Sequence, residues 1–168
     1  MTKKFSFLIT LIIMVSFFGP LSICSAHAEG TPSSVIGTVI SETTEYFEDG
    51  TSLTTIIIDQ TTTQARGTTT TKKGTKVAIA RNKDGIECCR LTVSGTFSVN
   101  MGVSATCTAC SHSVSITDTA WSNESASSHC SANQAIGEAK FIRKILFITV
   151  ETRTIQVTLS CDKNGVLS

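Results

Sequence analysis

Residues 91–99 read LTVSGTFSV, and their alternation decides the fold. Leu91, Val93, Phe97 and Val99 share one side of an extended chain, while Thr92, Thr96 and Ser98 share the other. That period of two is the signature of a strand with one face in a core. Working outward, Val77 and Ile79 make the preceding strand, and Asn82-Lys83-Asp84-Gly85 supplies a turn between the two. After Asn100-Met101-Gly102 the apolar side continues at Val103, Ala105 and Cys107, then shifts to even positions at Val114 and Ile116. One residue must be absorbed between Cys107 and His112, which predicts a β-bulge near Cys110. Ala135, Gly137, Ala139 and Phe141 form a further inward set, and Ile155, Val157, Leu159 and Cys161 close the series. These last two strands are expected to pair antiparallel, with a bulge between Val150 and Ile155. Thr and Ser dominate beside Val and Ile, and no window shows an apolar period of helical length. The expectation is all-β: a disulfide-stapled antiparallel β-sandwich of immunoglobulin-like kind, or a partly open barrel.

The N-terminus reads differently. Lys3 and Lys4 precede an almost wholly apolar run over residues 5–18, Gly19-Pro20 breaks it, and Ala26-His27-Ala28 offers small residues at a cleavage site. This predicts a secretory signal peptide over residues 1–28, cut between Ala28 and Glu29. The apolar run is shorter than the roughly 20 residues that span a bilayer, so no stable membrane span is expected after cleavage. Bulky Ile23 before Cys24 disfavours lipid attachment. The mature chain is therefore expected outside the cell or at its envelope. Residues 29–74 read as a Thr-rich segment with short strands at 35–40 and 53–59 around Glu48-Asp49-Gly50. The low-complexity stretch at 61–74 (TTTQARGTTTTKKG) reads as a linker, with a domain boundary near Lys73 and a β-sandwich domain over 75–168.

The whole chain carries 14 basic and 13 acidic side chains. Loss of Lys3 and Lys4 with the signal leaves it near neutrality, with no electrostatic reason to bind nucleic acid or an anionic membrane.

LTVSGTF at 91–97, ATCT at 105–108, AW at 120–121 and VTLSCDKNG at 157–165 resemble a family of small secreted β-strand-rich proteins of Gram-positive bacteria, a domain of unknown function. YFEDGTS at 46–52 fits the N-terminal part of that family. The likeness covers most of the mature chain and implies a secreted β-domain without a stated mechanism, cofactor or ligand. Only Cys107 and Cys161 lie in the stretches that carry it; Cys88, Cys89, Cys110 and Cys130 are additions.

Of the seven cysteines, six remain after the expected cleavage, and an even number in an exported chain favours disulfides. Cys107 and Cys161 each end an inward series, which predicts a framework bridge between them worth roughly 3–5 kcal/mol. Cys88 and Cys89 are expected on opposite faces of one strand, each with a separate partner. The competing reading is a zinc site from Cys107, Cys110, His112 and Cys130, since C-x2-C with a nearby imidazole suits tetrahedral zinc. The absence of a matching second half disfavours it, and no cofactor is expected.

His112 and His129 are the general bases left in the mature chain, and no G-x-S-x-G or H-E-x-x-H occurs. His112, Asp118 and a serine make a triad only on paper. Asp162-Lys163-Asn164-Gly165 reads as a tight turn. Residues 142–150 (IRKILFITV) are the most apolar stretch outside the signal; burial beneath the sheet is expected, with an exposed contact tip as the alternative. The function expected is a non-enzymatic secreted β-domain that binds an extracellular protein or glycan, or serves structurally. The alternatives are a small disulfide-stabilised effector (a toxin, bacteriocin-like factor or inhibitor) and a zinc-binding or hydrolytic protein.

Overall fold

A computed structural model describes residues 36–62 and 69–168. The expected signal peptide, its expected cleavage site at Ala28 and Glu29, and residues 63–68 of the expected linker lie outside the described residues. Eight strands follow in order: β1 (Thr38–Tyr46), β2 (Ser52–Asp59), β3 (Thr69–Arg81), β4 (Glu87–Asn100), β5 (Ser104–Ile116), β6 (Trp121–Ser131), β7 (Gln134–Ile145) and β8 (Ile148–Ser160). They form a five-stranded sheet, β1-β2-β3-β4-β5, and a three-stranded sheet, β6-β7-β8, antiparallel throughout. The fold is all-β, and the sheets do not close into a barrel.

The two inner faces share one apolar core. Leu91, Val93, Phe97 and Val99 from β4 meet Ala135, Ala139 and Phe141 from β7 and Ile155, Val157 and Leu159 from β8. Each of these residues was placed inward by alternation alone. β5 lies over β6 and β7, β4 over β7 and β8, and β3 over β8. Glycine makes the closest approach possible: a Cβ on Gly137 would collide with Val93 Cγ2, and one on Gly95 would come within 2.9 Å of the Ala135 methyl group. Every residue of β1 is exposed, while β2 sends Ile57 into the core.

Three expectations about the architecture change. Consecutive strands are neighbours within each sheet, so both sheets are meanders without the Greek-key crossover of immunoglobulin domains. The expected boundary near Lys73 falls inside β3, whose residues 69–74 pair with residues 95–100 of β4. Threonine-rich text lacks bulky apolar groups, yet its β-branched side chains suit a strand once neighbours supply the ladder. Cys88 and Cys89 do not face opposite ways in separate environments. The register slips beside them, with Ala80 opposite Cys89 and Arg81 opposite Glu87, and both cysteines join the core.

The bulge expected near Cys110 occurs two residues earlier. Thr96 pairs with Ala109 and Phe97 with Cys107, leaving Thr108 as the extra residue. β7 and β8 pair as expected. Their irregularity is at Val150, since Arg143 faces Glu151 and Lys144 faces Thr149. Asp162–Gly165 is a tight turn: Asp162 Oδ1 accepts from the Asn164 and Val166 amides, and Gly165 has φ of 77°.

Candidate functional site

The β7–β8 hairpin departs most from expectation. Residues 142–150 were expected to pack under the sheet, and only Ile142 does so. β6 begins at Trp121, which pairs with Arg143, and the Lys144 amide donates to the Ala120 carbonyl at 3.2 Å. Beyond that point the hairpin has no third strand and stands clear of the body. Its two-residue turn is Leu146-Phe147, with φ of 47° and 69°. Positive φ at both central residues matches a type I′ turn, a place that favours Asn-Gly and strains bulky side chains. Leu146 is 85% and Phe147 98% exposed, and Ile145, Ile148 and Val150 are exposed around them. The apolar residues 145–148 thus sit in solvent on a strained turn.

The hairpin is rooted in a polar cleft at the same end of the molecule. This cleft, about 320 Å³ in volume, is lined among others by Asp49, Asp118, Trp121, Arg143, Glu151 and Arg153. Arg153 Nη2 donates to Glu151 Oε1 at 3.0 Å and its guanidinium lies over the Trp121 ring. Arg143 Nη1 stands 3.8 Å from Glu151 Oε2, while Arg143 Nε is buried without a hydrogen-bond partner. Asp49 accepts from the Thr51 amide and hydroxyl, and these bonds hold its carboxyl below the usual carboxylate range. Charged anchors of both signs fix the base of the hairpin while its tip stays apolar.

The cysteine cluster assembles elsewhere. β5 and β6, the facing edges of the two sheets, bring Cys107 Sγ to 3.1 Å from Cys130 Sγ, and Cys110 also contacts Cys130. Cys107 thus meets Cys130 rather than Cys161. The Cys161 thiol points to the Asp162 carbonyl at 3.6 Å and the Cys88 thiol to that of Ile86 at 3.6 Å. No cysteine pair among the described residues stands at bonding distance. Burial pushes the thiols of Cys107 and Cys130 up, that of Cys110 to about 11 and that of Cys89 to about 12. Such thiols are poor nucleophiles near neutral pH.

The same seam carries His112, whose Nδ1 lies 2.9 Å from Ser128 Oγ. Asp118 is not with them: its Oδ1 accepts from the Ala120 amide at the cleft end. The triad of His112, Asp118 and a serine is not assembled. Of the zinc set, Cys107 and Cys110 meet Cys130 and His112 lies along the same seam, but among the described residues no group of three or more His, Cys, Asp or Glu side chains is placed to hold a metal ion. No helix among them is long and apolar enough to cross a membrane.

The exposed tip was foreseeable only as an alternative. Its one sequence signal was a bulky apolar pair at a hairpin turn with neither Gly nor Asn. Comparison with protein-family models, curated proteins and solved structures gives no match.

Proposed function

We propose that this protein is a secreted, non-enzymatic β-sandwich module that acts by binding, with the tip of the β7–β8 hairpin as its contact element. The observation that carries this reading is Phe147, almost wholly exposed on a turn of positive φ. Backbone strain and solvated apolar surface both disfavour the free state, and a sequence retains such a pair where contact offsets the cost. An extracellular or envelope protein with an apolar recess is the partner that suits a narrow tip of Ile145, Leu146, Phe147 and Ile148. Secretion rests on the signal-like N-terminus and the likeness to the Gram-positive family. A glycan would need hydrogen-bonding side chains around an aromatic face, whereas the neighbours of Phe147 at the tip, Ile145, Leu146 and Ile148, are aliphatic.

The test is capture from envelope extract by the immobilised mature chain, with Phe147→Ala beside it. Retained proteins common to both baits count against the tip. A partner held by the parent chain and lost with the substitution supports it.

A further inference from the structure

The thiol seam lies far from the hairpin and is independent of it. β5 is the last strand of the larger sheet and β6 the first of the smaller. The loop between them joins their ends at one side of the seam. At the other side the Cys107 amide donates to the Ala132 carbonyl at 2.8 Å, and the Cys107 and Cys130 sulfurs stand 3.1 Å apart. A disulfide is about 2 Å long, so closure needs a movement of roughly 1 Å.

We propose that Cys107 and Cys130 form a disulfide that staples the open β5–β6 side of the core, leaving Cys110 as a neighbouring thiol. Exposure orders the chemistry. Cys130 is exposed, Cys110 half-buried and Cys107 buried. The Cys130 thiolate, its proton lost to solvent, attacks one sulfur of an external disulfide, forming a mixed disulfide and releasing one external thiolate. The Cys107 thiolate then attacks Cys130 Sγ, which forms the internal bond and releases the second external thiolate. The two cysteines are oxidised by two electrons, and the external disulfide is reduced to two thiols. Cys110 also contacts Cys130, but the backbone of Cys107 is tied to the end of β6 by its bond to Ala132, which holds its sulfur at 3.1 Å and gives it the bond while Cys110 stays a thiol. The high thiol pKa values along the seam make slow closure and a lasting bond, as in a structural bridge rather than a redox catalyst.

The test starts from the full chain, reduced, then oxidised with glutathione disulfide and treated with iodoacetamide. Cleavage after Glu124 separates Cys107 and Cys110 from Cys130, and fragmentation between Thr108 and Ala109 identifies the joined sulfur. The expected result is a Cys107–Cys130 linked pair with Cys110 alkylated. Cys110→Ala should keep the bridge and an oxidant-dependent rise in Tm of roughly 10 °C, which Cys107→Ala should abolish. Alkylated Cys130 in the oxidised protein, or Cys130 joined to Cys110 or Cys161, overturns the proposal. The mapping uses the unsubstituted chain, so it decides even where a variant fails to fold.

Discussion

Arg153 lays its guanidinium over the indole of Trp121, 5.4 Å from the ring centre, and donates to Glu151 from the same group. Arg153 and Glu151 belong to β8 and Trp121 opens β6, so this contact ties the projecting hairpin to the body. Arg153→Met should lower stability by about 1 kcal/mol, the scale of a partly exposed cation–π contact with a screened ion pair. Trp121 is the single tryptophan. Its fluorescence in a urea melt reports both the lost contact and the stability change; an unaltered spectrum and midpoint would show that the hairpin is anchored some other way.

Replacing Leu146-Phe147 by Asn-Gly supplies the residues that a type I′ turn prefers. Relief of two strained positions should raise stability by about 1–2 kcal/mol, while removing the contact surface. Phe147→Ala alone should leave the unfolding midpoint within about 0.5 kcal/mol of the parent, since the ring buries nothing. A loss near the roughly 3–5 kcal/mol of a core aromatic would mean the ring packs somewhere after all.

Gly137 of one sheet packs directly against Val93 of the other. Gly137→Ala places a methyl group against Val93 Cγ2 and should cost about 1–3 kcal/mol by overpacking. Pairing it with Val93→Ala should recover part of that loss, because the second substitution removes the atom in the way. Additive losses in denaturant melts would place the strain elsewhere.

Burial raises the pKa of all six thiols among the described residues above the ordinary 9.0, that of Cys89 to about 12. For a group raised on folding, the stabilisation is complete below the unfolded pKa and is lost as pH climbs toward the folded one. The reduced chain should therefore melt at falling temperature as pH rises above about 9. Lys76, lowered by burial, works in the opposite sense, but one lysine faces six thiols. Oxidation should flatten the profile by removing two of those thiols; a profile flat in both states would argue that the sulfurs are solvated.

Alternation alone placed Leu91, Val93, Phe97, Ala139, Phe141, Val157 and Leu159 in one core, because a strand with one buried face must repeat with period two. It also required a bulge after Cys107, since the apolar side changes parity there. Local text could not decide which sulfur meets Cys107: that depends on β5 and β6 being the facing edges of two sheets, a relation between segments that share no strand ladder. The same limit applies at residues 145–150. Their composition states a wish for apolar surroundings, whereas their exposure follows from β6 starting only at Trp121, so no third strand reaches the tip. Sequence determined which faces are apolar; only the tertiary arrangement decided which of them found something to cover them, because burial needs a neighbour that the segment itself does not encode.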